Sequence, residues 1–163
     1  MGPAVSDDEL RTIRRHLEEQ LPRLRGEWVA KNSGYERGLC EVIGWKCEHN
    51  RYWDAVFGNS RIEIKKGRSV WLDLVRYSEL LVSTKGELST ATVFFIPDEE
   101  KLRIVRVLGV RTAALIDKLH LGTDGAAHLL ALKETVPRSL NAQASLTIKD
   151  ISGFCDFDIS LGG

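Results

Sequence analysis

Apolar residues in the first part of the chain recur at spacings of three and four, at Leu10, Ile13, Leu17 and Leu21, behind a Ser6/Glu9 capping-box pair. That pattern predicts an amphipathic helix over about 6 to 21, ended by Pro22. Tyr35, Leu39, Val42 and Ile43 then share one face of a second, short helix over 34–43, which Gly44 stops. The period changes at Trp45. The segments 45–57 and 60–66 are rich in aromatic and β-branched residues, and they flank Gly58-Asn59, a pair suited to a two-residue hairpin turn. Ser69 is placed to cap a third helix over about 70 to 83, with Trp71, Leu74, Val75, Leu81 and Val82 on its stripe. Strands at 90–96 and 102–108 surround a Pro97-Asp98-Glu99-Glu100 turn, helices follow at about 112–121 and 125–134, and strands at about 144–149 and 154–159 close the order. Strands and helices mixed without regular alternation predict an α/β (α+β) domain spanning 1–163, with a central mixed β-sheet flanked by helices.

The hairpin holds the chemistry. With Gly58-Asn59 as the turn, Phe57 opposes Ser60, Val56 opposes Arg61, Ala55 opposes Ile62 and Asp54 opposes Glu63. Alternation then puts Trp53, Ala55, Phe57, Ile62 and Ile64 on one face, and Asp54, Val56, Arg61, Glu63 and Lys65 on the other. Opposed Cβ atoms lie about 4.5–5.5 Å apart, so two carboxylates there repel unless something neutralises them. Paired hard oxygens with no thiolate or imidazole beside them suit Mg²⁺, with Mn²⁺ as a substitute. Lys65 projects from the same face, where its ammonium can hold a water next to such a cation.

Charge and composition narrow the partners. With 23 Lys+Arg against 23 Asp+Glu, the net charge of zero excludes bulk electrostatic coating of nucleic acid but leaves room for a local basic cleft. Arg61, Lys65, Lys66 and Arg68 supply four cations within eight residues, suited to the phosphate backbone rather than to base edges. Cys40, Cys47 and Cys155 have no paired-ligand spacing and read as reduced thiols, and His16, His49, His120 and His128 show no metal-ligand spacing either. Asp156 and Asp158 read as an exposed, charged strand edge. No P-loop, GxGxxG or GxSxG occurs, so no nucleotide cofactor is expected. No apolar run reaches the roughly 18 residues of a membrane span, and the first residues are acidic, so the expectation is a cytoplasmic (intracellular) protein with no membrane partner.

Asp54 followed by Glu63-Ile64-Lys65 resembles the signature of the PD-(D/E)xK nuclease superfamily. The preceding stretch 34–45 looks like that superfamily's N-terminal core helix, which often supplies a further glutamate. Glu36, at the edge of the apolar stripe, is the candidate, whereas Glu41 points the other way. The order helix, three strands, helix, strand within about 34–108 resembles the superfamily core, while Trp53 stands where the named pattern has proline. The resemblance implies a restriction-endonuclease-like fold in which Asp54, Glu63 and the carbonyl of Ile64 hold Mg²⁺, Lys65 orients the attacking water and Glu36 assists. It further implies a small homodimeric type II restriction enzyme that hydrolyses double-stranded DNA at a palindromic site, with Arg61, Lys66 and Arg68 on the DNA backbone. The first helix could serve a dimer interface or pack on its own core. Arg111, Lys133, Arg138, Asn141, Gln143 and Lys149 are of the types that read bases or their surroundings. Two alternatives remain: a structure-specific nuclease such as a Holliday-junction resolvase or repair nuclease, and a non-catalytic DNA-binding module. The neutral charge favours sequence-specific cleavage over the resolvase.

Overall fold

In the computed structural model, which describes residues 7–20, 23, 35–48, 50–82, 88–98, 100, 103–135 and 143–161, the chain begins with α1 (Asp7–Glu19) and α2 (Tyr35–Ile43). Next come β1 (Lys46–Cys47), β2 (Ala55–Phe57), β3 (Ser60–Lys66), β4 (Ser69–Asp73) and α3 (Leu74–Val82). The remainder is β5 (Ala91–Pro97), β6 (Ile104–Arg111), α4 (Thr112–Lys118), α5 (Thr123–Thr135), β7 (Gln143–Thr147), α6 (Ile148–Ser152) and β8 (Phe157–Ser160). The fold is mixed, with a six-stranded sheet in the order β1-β2-β3-β5-β6-β8 and helices against it. Only the β3–β5 pair is parallel among these; the others are antiparallel.

β5 is buried along its whole length, as expected of a strand covered on both faces. Its Ala91, Val93 and Phe95 join Ile62 and Ile64 of β3 in one core, closed by Leu10, Ile13 and Leu17 of α1 and Leu39, Cys40 and Ile43 of α2. Phe94 and Ile96 enter a second core on the opposite face, with Val70 and Leu72 of β4, Tyr77 of α3, Leu115 and Ile116 of α4, and Ile151 of α6. The α1 stripe is thus spent on its own core: Leu10, Ile13 and Leu17 are nearly inaccessible, which leaves them no part in an interface between copies. His16 of α1 donates from Nε2 to the carbonyl of Ile43 and its ring packs on Phe57, tying α1 to the end of α2 and to the hairpin. Gly44 ends α2 with φ 76°, a left-handed conformation that glycine adopts without a Cβ penalty.

Several elements differ from expectation. The segment read as one strand over 45–57 is two, β1 and β2, separated by bends at 51, 52 and 54. The third helix begins four residues late: 69–73 is the strand β4, because Val70 and Leu72 alternate into the second core while Trp71 stays 58% exposed. Asp73 is the true cap, its Oδ1 accepting the N–H groups of Val75 and Arg76 at 3.0 and 3.2 Å. β7 does not join the main sheet; it pairs antiparallel with β4, Trp71 opposite Ser145. A capped turn, α6, separates it from β8, with Thr147 and Asp150 forming a capping box. Ser6, Leu21, Pro22, His49, Glu99, Arg138 and Asn141, together with the side chains of Tyr35, Ser69 and Lys133, lie outside the described residues. Among the described residues, no helix is long and apolar enough to cross a membrane.

Candidate functional site

The β2–β3 hairpin has the expected register, with Phe57, Val56 and Ala55 opposite Ser60, Arg61 and Ile62. Gly58 supplies the positive φ, 60°, that a glycine-first two-residue turn requires. One residue beyond Ala55 the ladder changes. Asp54 donates its N–H to the carbonyl of Ile62 at 2.9 Å, and its carboxylate Oδ2 accepts the N–H of Ile64 at 2.7 Å. The side chain therefore takes the place of the next ladder partner and aims its carboxylate at β3. This irregularity also overturns the expected face of Trp53: the Arg61 guanidinium lies 4.7 Å from the centre of the Trp53 ring, so Trp53 shares the polar face with Arg61.

Two contacts hold the segment before Asp54. Arg51 grips Glu79 of α3 with Nε and Nη2, both at 2.7 Å, and the Tyr52 hydroxyl donates to Glu79 at 3.1 Å. The Asp54 carbonyl in turn accepts the N–H of Glu48 at 2.8 Å. Asp54 is thus fixed from α3, from the end of β1 and from β3.

Glu63 is buried, with only 3% of its side chain accessible. Since Ile62 and Ile64 enter the first core, Glu63 projects to the opposite face, toward α3. There Arg76 Nη1 donates to Oε1 at 2.7 Å and the Tyr77 hydroxyl donates to Oε2 at 3.2 Å. Lys65 Nζ completes the group 3.4 Å from Oε1. Burial foremost, and then the Glu63 charge, keep the Tyr77 hydroxyl well above the usual tyrosine range, so it remains a donor at neutral pH. Arg76 and Tyr77 were not visible as site residues in the sequence. Recognising Asp73 as a helix cap would have placed both in the first turn of α3, directly after β4.

Asp54 has a carboxyl pKa above the ordinary range. Burial is the main cause, opposed by the Ile64 hydrogen bond; the charges of Glu63 and Glu36 add to the rise and Lys65 opposes it. Glu36, from the first turn of α2, thus lies within electrostatic reach of Asp54. The neighbouring Cys40 thiol is pushed up to about 12, mainly by burial, then by Cys47, Asp54 and Glu36, which makes it an inert thiol packed behind the carboxylates. Glu41 is exposed, on the other side of α2.

Asp54, Glu63 and Lys65 therefore meet at one place, and Glu36 acts on Asp54 through its field. The other basic candidates do not gather around them. Arg61 stacks on Trp53, Lys66 alternates to the Ile64 side of β3, and Arg68 donates to the Pro97 carbonyl at 3.2 Å. Arg111 is engaged in ion pairs with Asp7 and Asp156, and Asp158 forms a two-pronged pair with Arg106. Gln143 and Lys149 are exposed.

Among the described residues, no group of three or more His, Cys, Asp or Glu side chains is arranged as a ready metal cage. The donor chemistry nevertheless suits a hard divalent cation. Asp54 and Glu63 are oxygen donors, the Glu63 charge disfavouring that of Asp54, and Oε2 of Glu63 has a lone pair beyond the one that Tyr77 uses. The Ile64 N–H faces Asp54, and in a strand the carbonyl of the same residue points to the same side, so the Ile64 carbonyl is turned toward the pair. No protein-family model matches the chain, and comparison with curated proteins finds no match.

Proposed function

We propose that the chain is a Mg²⁺-dependent endodeoxyribonuclease of the PD-(D/E)xK kind, hydrolysing double-stranded DNA as a homodimeric type II restriction enzyme. The observation that carries this reading is the locking of the Asp54 carboxylate onto the Ile64 amide at 2.7 Å, which brings it beside buried Glu63 while Lys65 lies 3.4 Å from Glu63 on the same face. The order of elements supports it: a helix, three antiparallel strands, a crossover through α3, and β5 parallel to β3.

On this reading Asp54, Glu63 and the Ile64 carbonyl would hold the cation. When bound, it supplies electrostatic stabilisation of the charge that develops on the phosphoryl oxygens and on the leaving 3′-oxygen. The chain's own groups do the rest. Lys65 donates from Nζ to the attacking water and holds it on the polar face of the hairpin. Tyr77 and Arg76 fix the rotamer of Glu63, and the Ile64 amide fixes that of Asp54, so the donors need no rearrangement. Glu36 adds negative charge that draws a cation toward Asp54.

A second reading, a DNA-binding module without catalysis, draws on one observation: Glu63 is already neutralised by Arg76 and Lys65. Incubating the protein with plasmid and phage DNA in Mg²⁺, Ca²⁺ or EDTA, alongside Lys65→Ala, decides between them. Discrete bands in Mg²⁺ alone, absent with Lys65→Ala, support the restriction reading. Binding without cutting at saturating Mg²⁺ supports the module, and nicking or cutting confined to branched substrates points to a structure-specific nuclease.

A further inference from the structure

We infer that Arg76 is a phosphate-holding residue of this site: its guanidinium, parked on Glu63 at 2.7 Å, also serves a phosphate oxygen of the bound DNA strand. The inference rests on the nuclease reading and adds to it a residue that the nuclease signature does not contain.

Three observations carry it. The first is redundancy at Glu63. A single carboxylate, 3% accessible, receives Arg76, Tyr77 and Lys65 together, so a stable buried Glu63 does not require a guanidinium as well as an ammonium and a hydroxyl. The second is accessibility. The Arg76 side chain is 26% exposed and that of Lys65 20%, whereas Glu63 and Tyr77 are almost sealed, so a polyanion approaching the pair meets these two cations first. Among the described residues Arg76 spends only Nη1 on Glu63, out of five guanidinium donors in a planar fork suited to phosphate.

The third is charge balance. The ion-paired group itself holds one negative charge, Glu63, and two positive ones, Lys65 and Arg76 at 3.4 and 2.7 Å from it. That net +1 is what a single phosphodiester neutralises. Without Arg76, the group would be neutral and offer the phosphate nothing in excess.

The test is equilibrium binding of a duplex in Ca²⁺, as a function of salt, for the wild type, Arg76→Gln and Arg76→Lys, with a thermal melt of each. Arg76→Gln is expected to bind roughly tenfold more weakly and to lose about 0.9 from the slope of log affinity against log salt, the share of one phosphate contact. Arg76→Lys keeps the charge, and so the slope, but loses the fork and binds more weakly. A lowered melting temperature with wild-type slope and affinity in either variant would overturn the inference and leave Arg76 a structural partner of Glu63; should Arg76→Gln not fold, wild-type affinity in Arg76→Lys has the same force. Wild-type protein that cuts DNA while Arg76→Gln keeps the full slope defeats this inference alone, whereas wild-type protein that binds no DNA defeats the nuclease reading and this inference with it.

Discussion

The Asp54 carboxylate caps the backbone of Ile64 across the hairpin, Oδ2 to N at 2.7 Å, and by doing so ends β2 and brings a second, half-buried negative charge to β3 beside buried Glu63. An acid whose pKa is raised on folding binds its proton more tightly in the folded state. The stability this confers is complete below the unfolded aspartate value of about 3.9 and is lost as pH rises through the higher folded value. Wild-type protein therefore carries a penalty at neutral pH. Asp54→Asn, which can still accept the Ile64 N–H, is expected to melt at a higher temperature than wild type at pH 7 and to abolish cleavage. The gap in melting temperature should close as pH falls from the raised folded value to the ordinary aspartate value of about 3.9; a variant that melts lower than wild type at pH 7 would contradict the argument.

Glu63 gives the opposite sign. Its oxygens are met by Arg76, Tyr77 and Lys65, so removing the carboxylate strands two cations and a buried hydroxyl. Glu63→Ala is expected to lose about 2–4 kcal/mol of stability, below the upper range for broken buried pairs because Arg76 and Lys65 reach solvent. Glu63→Gln keeps the acceptor that Arg76 and Lys65 share and turns the Tyr77 hydroxyl from donor to acceptor, so it should recover part of that loss. Both should be inactive, and both should lose the divalent-cation shift in melting temperature that wild type shows on the nuclease reading. Urea denaturation separates the two variants; Mg²⁺ titration of the melt groups them.

How far the sequence carried the reading depends on period. Residues 55–62 announced their register because a glycine at the turn and apolar alternation on both sides leave one pairing. Beyond Ala55 the same alternation misplaced Trp53, since nothing in residue types marks where a side chain will replace a ladder hydrogen bond. At 70–83 two periods overlap: Val70 and Leu72 are also at positions a helix could use, and only the pairing with β7, more than seventy residues away, selects a strand. That overlap hid Asp73 as a cap, and with it the first turn of α3 that brings Arg76 and Tyr77 onto Glu63. The helix that carries Glu36 was legible because it is short, apolar on one face and stopped by a glycine.

Lys65 is the residue whose loss should separate chemistry from structure. Its side chain is 20% exposed and its 3.4 Å contact with Glu63 duplicates a shorter one from Arg76, so Lys65→Ala should change stability by less than about 1 kcal/mol. Removing the ammonium also takes away a charge that opposes the rise of the Asp54 pKa, so that rise should grow. Cleavage should be lost outright, whereas duplex binding in Ca²⁺ should weaken only about tenfold, as for Arg76→Gln, because Lys65 supplies the other of the two accessible positive charges; a gel shift beside a plasmid digest reads both.

The edge of the sheet supplies a test of the fold that does not touch the site. Gly109 of β6 sits opposite Phe157 of β8, and a Cβ built on Gly109 would lie 2.0 Å from the Phe157 ring. The ring, itself only 3% exposed, fills the space that any side chain at 109 would need and closes the first core over Val107 and Ile104. Gly109→Ala must push Phe157 out of that seat, at a cost of about 1–3 kcal/mol or more in overpacking. Because the obstacle is the ring and not the backbone, the damage should depend on it: in a Phe157→Leu background, Gly109→Ala should cost clearly less than in wild type. Equal costs in the two backgrounds, measured by a double-mutant cycle in urea, would mean that Phe157 does not occupy the surface of Gly109.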